Sequence, residues 1–422
     1  MGIALTDDHR ELEEVARAFL TSQKARWAAR SLLDAADESR PPFWHNLVEL
    51  GWLGLHIDEE HGGSGYGLPE LVVVIEELGR AVAPGPFVPT VIASAVIAKD
   101  GTADQKSRLL PGLIDGTVTA GIGLDSQARV SDGIADGDAG IVLGAGLAEL
   151  LLIAAGDDVL VLERDRDGVS VDVPTNLDPT RRSGRVRLQN VSVTADDILP
   201  GARESALARA RTLLGAEAVG GASDCVDAAV AYAKVREQFG RTIATFQAVK
   251  HHCANMLVAA ESATAAVWDA SRAAGEDEEQ FRLIAAVAAA LAFPAYARNA
   301  ELNIQVHGGI GFTWEHDAHL HLRRALVITS LFGGDAPARD VFERTAAGQG
   351  RENRLDLPPE AEELRTRIHA DAAAIAGLDK AAQRDKLIET GYVMPHWPKP
   401  WGLAADAVEQ LVIEEEFRAA GI

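Results

Sequence analysis

Two stretches decide the fold: Tyr232-Ala233-Lys234-Val235-Arg236-Glu237-Gln238-Phe239-Gly240-Arg241, followed by Phe246-Gln247, and Gln305-Val306-His307-Gly308-Gly309-Ile310-Gly311-Phe312-Thr313. Helical periodicity leads into the first, and Gly240 reads as the stop of that helix. Arg236 then stands one turn before the end, with a planar fork suited to phosphate oxygens. In the second, three glycines in four positions let a backbone come close to a ligand. Gln305 adds an amide able to read a base edge. A glycine-rich loop behind a helix is by itself usually only a turn. Two such segments about seventy residues apart, in one helical region, are far more specific.

Outward from them, residues 201–352 read as an Ala-rich bundle. Ala206, Leu207, Ala210, Leu213, Leu214 and Ala218 share a stripe, and helices are expected over 224–236, 247–274 and 282–307. Glu276 to Glu279 is a charged corner, loop or helix start. Leu283 to Ala297 is the longest apolar stretch, too short for a membrane span and interrupted by Pro294. Before the bundle, residues 116–200 alternate β-branched and polar residues, as in Gly168 to Val173 and Arg185 to Leu188, which predicts a small antiparallel β domain. Residues 1–115 read as helical. One helix starts at Asp7 and is broken by Pro41-Pro42; others cover Phe43–Leu50, Glu70–Val82 behind Pro69, and 87–110.

The chain has 422 residues, 40 basic and 63 acidic, a net charge of −23. So acidic a chain argues against sequence-blind nucleic-acid binding, which needs clustered Lys and Arg. An apolar fraction of 47% excludes a disordered chain. Cys225 and Cys253 build no disulfide framework or metal knuckle and read as small core residues. The start lacks a basic n-region and an apolar h-region; Gly2 and Thr6 loosely fit a myristoylation pattern, which Asp7 and Asp8 oppose. A soluble cytoplasmic protein is expected.

With both motifs on the page, RxQFG…FQ and QxHGGxGxT, residues 5–350 resemble the flavin-dependent acyl-CoA dehydrogenase family; Leu177-Asp178-Pro179-Thr180-Arg181 matches a further family stretch. The resemblance implies a mostly α fold: an N-terminal helical domain, a middle β domain and a C-terminal four-helix bundle that tetramerises. It implies FAD, with Arg236 and Phe239 on the pyrophosphate, Phe246 and Gln247 beside the adenosine, and Gln305, Gly308 and Gly309 along the ADP half, typically of a neighbouring subunit's flavin. It also implies desaturation of an acyl-CoA thioester to 2-enoyl-CoA by a glutamate base, with electrons leaving to an electron-transfer flavoprotein.

The chain departs from the family where chemistry occurs. The usual glutamate slot reads Gly333, and the alternative slot on the first bundle helix falls at Ala210, beside Arg211. Glu217 and Asp335 are the displaced candidates, each more simply a solvated carboxylate. The flavin-ring loop reads Thr119 to Ser126, and the strand that carries a tryptophan in the family reads Gly140 to Gly144. No catalytic residue and no metal ligand is therefore assigned. His251, His252, His316, His319 and His321 read as solvated or capping, and Met256 and the tryptophans as packing. Arg236, Arg241, Arg181 and Arg182 are the expected basic spots for CoA and ADP.

One feature lies beyond the module. Leu47-Val48-Glu49-Leu50-Gly51-Trp52 has a counterpart in Leu387-Ile388-Glu389-Thr390-Gly391-Tyr392, and Leu71 to Glu77 in Leu411 to Glu416. Residues 353–422 thus read as a linker plus the opening helices of a second, incomplete module. The expected protein is one half of a paired dehydrogenase, a homo- or hetero-oligomer (a dimer of dimers) in which another module supplies ring pocket and base. Bulky acyl-CoA substrates such as steroid side chains follow by resemblance. The alternative is a flavin-free scaffold subunit, against which the intact Arg236 and Gly308-Gly309 segments count.

Overall fold

The computed structural model describes residues 6–351, 357 and 361–422. They form two compact units, Met1–Arg351 and Glu352–Ile422. The first five residues and nearly all of the expected linker lie outside the described residues.

In the first unit, α1 (Asp7–Ser22) is capped by Thr6, whose hydroxyl accepts from the His9 backbone N–H. It ends well before Pro41-Pro42: Lys24 takes left-handed backbone at φ 53°, and α2 (Ala25–Ser31) follows. Next come α3 (Trp44–Glu49) and α4 (Leu68–Ala81), with Pro69 in the first turn of α4. The helical stretch read over 87–110 consists of two helices, α5 (Phe87–Asp100) and α6 (Ala103–Ile114). Thr102 and Gln105 cap α6 reciprocally, which ends the first helix and starts the second.

The β domain holds β1 (Ala120–Gly123), β2 (Arg129–Ser131), β3 (Ile134–Val142), β4 (Leu150–Ala155), β5 (Asp158–Glu163), β6 (Val169–Asp172), β7 (Gly184–Ser192) and β8 (Ile198–Leu199). They pair in two four-stranded sheets, β1-β4-β5-β8 and β2-β3-β7-β6. One pair departs from the antiparallel expectation: β1 runs parallel to β4, with Ile122 opposite Leu152. Alternation holds on β7, which has a solvated face. It fails on β4, all of whose residues are buried. Leu151 and Ile153 pack against Val186 and Leu188 of the other sheet, while Leu152 and Ala154 join the helical core. A strand buried on both faces reads as a continuous apolar run.

The bundle comprises α7 (Arg203–Val235), the hairpin β9 (Glu237–Gln238) and β10 (Arg241–Thr242), then α8 (Gln247–Ala273), α9 (Glu278–His307), α10 (Ala318–Phe332) and α11 (Ala336–Ala346). Asp277 in the charged corner is the N-cap of α9, accepting from the Glu279 and Gln280 amides. Among the described residues α9 alone is long and apolar enough to cross a membrane, and most of its apolar window is buried in the bundle. Glycines let α7 meet α4 at backbone distance. A Cβ at Gly220 would strike the Glu76 carbonyl, and one at Gly79 would strike the Glu217 carbonyl.

The second unit holds α12 (Ala361–Ala376), α13 (Lys380–Thr390) and α14 (Ala407–Ala419) around its own core of Ile368, Ala372, Ile375, Val412, Ile413 and Phe417. From Leu47 to Glu76 its sequence matches the first unit without a gap, each counterpart numbered 340 higher. Gly51 pairs with Gly391, His56 with His396, Gly62 with Gly402 and Glu76 with Glu416. Gly51 and Gly391 both close a helix in left-handed backbone, at φ 73° and 82°. In the first unit Arg17 of α1 donates to the buried Glu77 of α4 at 2.8 Å. In the second, Arg365 of α12 donates to the buried Glu416 of α14, also at 2.8 Å, although by this register Glu77 corresponds to Phe417 and Arg17 to Leu357.

Candidate cofactor site

The first motif is built differently from its sequence reading. α7 ends at Val235, and Arg236 is the C-cap rather than a residue one turn inside. Phe239 and Gly240 form the two-residue turn of the β9–β10 hairpin, both at positive φ (54° and 76°). Two consecutive positive φ values mark the turn type whose twist matches a tight hairpin. Gly240 serves that turn and not the helix end.

The hairpin brings the two motifs together. Tyr232, Arg236, Gln238, His307, Gly308 and Gly309 line one cleft of about 330 Å³. Tyr232 and Arg236 are four residues apart, so one face of α7 presents both. The Arg236 guanidinium is exposed and pairs with no carboxylate among the described residues. A Cβ at Gly308 or Gly309 would stand in open space, so both backbones face the cleft unshielded. Tyr232 and His307 stack in the cleft wall at 4.3 Å between centroids, and behind them His316 meets His307 at 4.3 Å with the rings tilted by 47°. His307 Nδ1–H donates to the Asn303 carbonyl at 2.8 Å, which fixes the ring. Burial first, then the neighbouring His307, hold His316 below the usual histidine range. Tyr232 and His307 stand inside the two motifs but have no role in the sequence reading; the aromatic one turn before Arg236 is the signal that could have found them.

The other candidates flank this cleft. Phe239 is 92% exposed at the hairpin tip, with its ring edge-on to Phe246 at 6.1 Å. The Arg241 guanidinium lies over the Phe246 ring at 4.3 Å. Gln247, the first residue of α8, and Gln305, in the last turn of α9, are exposed and lie outside the cleft lining. An open basic cleft with bare glycine backbone fits a pyrophosphate.

The ring-side segment is different. Ile122 and Leu143 exchange both backbone hydrogen bonds at 2.9 Å, and Ala120–Gly123 of this segment pairs as a strand while Leu124–Ser126 is irregular. Ala210 is buried inside α7, and Gly333 is the C-cap of α10. Asp335 is an exposed carboxylate at the start of α11.

Glu217 is not a solvated carboxylate. It is 1% exposed, and Arg181 grips both its oxygens at 3.1 and 2.8 Å. Arg324 donates to Glu217 and, at 2.5 Å, to Asp178. Asp178 is also held by the Thr180 hydroxyl at 2.5 Å. Burial opposes ionisation of Glu217, but the two guanidiniums outweigh it and hold its carboxyl below the ordinary range. Such a group does not take a proton from a substrate. Arg181, expected as a surface spot for anions, is spent inside this network. Arg182 donates to the Ala35 and Ala36 carbonyls. His321, expected to be solvated, is a core residue: it meets the Tyr296 hydroxyl at 3.1 Å and Asp224 at 3.0 Å. Among the described residues no cluster of His, Cys, Asp or Glu could hold a metal.

Two half-buried carboxyls give the fold a pH signature. Burial pushes Glu76 up to about 8 and Glu38 up to about 7, against which the Trp268 N–H on Glu76 and the Arg182 amide on Glu38 act only weakly. A carboxyl whose folded pKa lies above its unfolded value makes stability fall as pH rises between the two. Below about pH 6.5, His56 and His321, held below the usual histidine range by burial, act with the opposite sign, so the urea midpoint is expected to decline mainly from about pH 6.5 to about pH 8 and then level off. Glu76→Gln should flatten most of that slope, as followed by circular dichroism. An unchanged slope in Glu76→Gln would show that the carboxyl is ionised in the folded protein.

The comparisons with known proteins agree with this geometry. The family model of the acyl-CoA dehydrogenase N-terminal domain matches residues 6–117, and that of the C-terminal domain matches 201–346. Acyl-CoA dehydrogenase FadE34 of Mycobacterium tuberculosis is 38% identical over the whole of this chain, which spans 60% of its length. Acyl-CoA dehydrogenase IpdE2 of the same organism is 32% identical over 76% of this chain and 91% of its own. A solved structure of a steroid acyl-CoA dehydrogenase, a single-residue variant of Tcur3481-Tcur3483, superposes with a TM-score of 0.74 at 28% identity, covering 81% of this chain and 98% of that one. The chain belongs to the FAD-dependent acyl-CoA dehydrogenase family.

Proposed function

We propose that this chain is the half of a paired acyl-CoA dehydrogenase that supplies ADP-side contacts to FAD, while a partner module supplies the ring pocket and the base. One contrast carries the reading: the Arg236–Gly308–Gly309 cleft is open and basic, whereas Gly333 and Ala210 have no proton-accepting group and Glu217 is locked between two arginines. In this arrangement Arg236 and the Gly308-Gly309 backbone would hold the pyrophosphate, and Phe239, Phe246, Gln247 and Gln305 would flank the rest of the ADP half. FAD held there would supply hydride acceptance for the desaturation of an acyl-CoA, with an electron-transfer flavoprotein as the onward acceptor.

The second unit supports pairing within one polypeptide. We read residues 361–422 as the opening helices of a second module, on the ungapped match to Leu47–Glu76 and the matching left-handed helix stops at Gly51 and Gly391. A relative that aligns with the whole chain and is itself much longer fits that reading. The steroid acyl-CoA dehydrogenase whose name joins two designations favours a bulky, steroid-like acyl group. A cytoplasmic setting goes with this reading.

The test is a flavin titration of purified 1–422. Weak or absent retention of FAD is expected, and Arg236→Ala should remove any residual binding. A tightly yellow homotetramer would contradict the proposal.

A further inference from the structure

The second unit leaves open a face that the first unit covers. In the register that matches Leu47–Glu76 to residues 387–416, Val48, Leu53 and Ile57 correspond to Ile388, Val393 and Trp397. Leu53 and Ile57 are fully buried. Their counterparts Val393 and Trp397 are 53% and 46% exposed, and Ile388 is 57% exposed. The residue types stay apolar while the burial is lost, so the difference lies in what covers them.

In the first unit the cover is α6 and the glycine turn behind it. α6 packs on the turn Trp52–Gly54. A Cβ at Gly116 would stand 2.6 Å from the Val48 side chain and 3.2 Å from that of Leu53, so this backbone lies directly on both. A Cβ at Gly54 would stand 3.0 Å from the Ile114 side chain, so the last residue of α6 closes the same contact. Among the described residues the second unit has three helices, and each already has a part. α12 packs on α14 as α1 packs on α4, and α13 ends at Gly391 as α3 ends before Gly51. None is left to stand where α6 stands. An open apolar face of this kind takes a helix.

We propose that this face docks the partner module through a helix of the α6 kind, an inference that rests on reading residues 361–422 as the opening of a second module. The register also sets two residues of that helix. Gly54 is replaced by Met394, so the position that Ile114 fills in α6 must be small in the docking helix. The closing turn keeps its glycine, because a side chain there would strike Ile388 and Val393 as it would strike Val48 and Leu53.

A fluorescein-labelled peptide of residues 101–118 carrying Ile114→Ala is the probe. It is titrated with the full chain and followed by fluorescence anisotropy. Saturable binding is expected. Val393→Asp and Ile388→Asp should each weaken it at least about tenfold, because a carboxylate would be buried under the helix. Both side chains are exposed, so the variants keep the fold, which circular dichroism checks. A scrambled peptide of the same composition should bind at least about tenfold more weakly. Equal binding of the scrambled peptide would sink the module reading as the guide to the occupant. Absence of saturable binding up to about 1 mM would overturn the docking face itself and leave the module reading standing. Unchanged affinity in both aspartate variants would place the peptide elsewhere and overturn the proposal as well.

Discussion

Arg324→Met should destabilise the first unit by about 3–5 kcal/mol, the range for removing one partner of a buried ion pair. Arg324 is fully buried, and its fork reaches Asp178, Glu217, the Thr180 hydroxyl at 2.6 Å and the Ala83 carbonyl at 3.3 Å. It therefore ties α10 to α7 and to the loop after β6. Methionine fills similar volume but leaves Asp178 with only a hydroxyl and an amide, and Glu217 with Arg181 alone. The cost is desolvation of carboxylates that have lost their counter-charge, not lost packing. Arg324→Lys should recover little, because an ammonium cannot serve partners on several sides as a planar fork does. Urea unfolding at neutral pH measures it. A loss below about 1 kcal/mol would show that water already reaches this network.

Gly220→Val should be comparably severe for a different reason. Its Cβ would meet the Glu76 carbonyl, which is backbone and cannot rotate aside. α4 must then move off α7, opening the core around Val72, Val73, Leu213 and Val219. Overpacking of this kind typically costs about 1–3 kcal/mol and more when backbone is the obstacle. Gly79→Val, the reciprocal contact, should behave alike, and the double variant should cost less than the sum because one displacement relieves both clashes. Strict additivity in urea unfolding would contradict a shared crossing.

Much of this was legible in residue order. The two motifs were recognisable because a phosphate cradle needs glycine backbone and a forked cation, and those needs constrain residue types at fixed spacing. The long bundle helices were legible because small apolar residues recur with helical period. What escaped was tertiary. Gly240 follows a helix, yet it serves the hairpin turn, since the pairing of Glu237–Gln238 with Arg241–Thr242 claims it first. Arg181 and Glu217 are ordinary charged residues in sequence; only folding sets them together, 36 positions apart, in a buried pair. β4 hid its strand character because both faces are covered, which removes the alternation that signals a strand. His321 looked solvated because neither Tyr296 nor Asp224 lies near it in the chain.

The central claim is that this chain holds FAD's ADP half but lacks the base for desaturation. Anaerobic flavin reduction tests it: 1–422 is loaded with excess FAD, with the bound fraction established by equilibrium dialysis, mixed with a panel of acyl-CoA thioesters including a steroid-side-chain ester, and followed by the bleaching of flavin absorbance. No bleaching is expected with any ester. Bleaching that is lost in Asp335→Asn or Glu217→Gln, with FAD still bound, would contradict the account and identify the base.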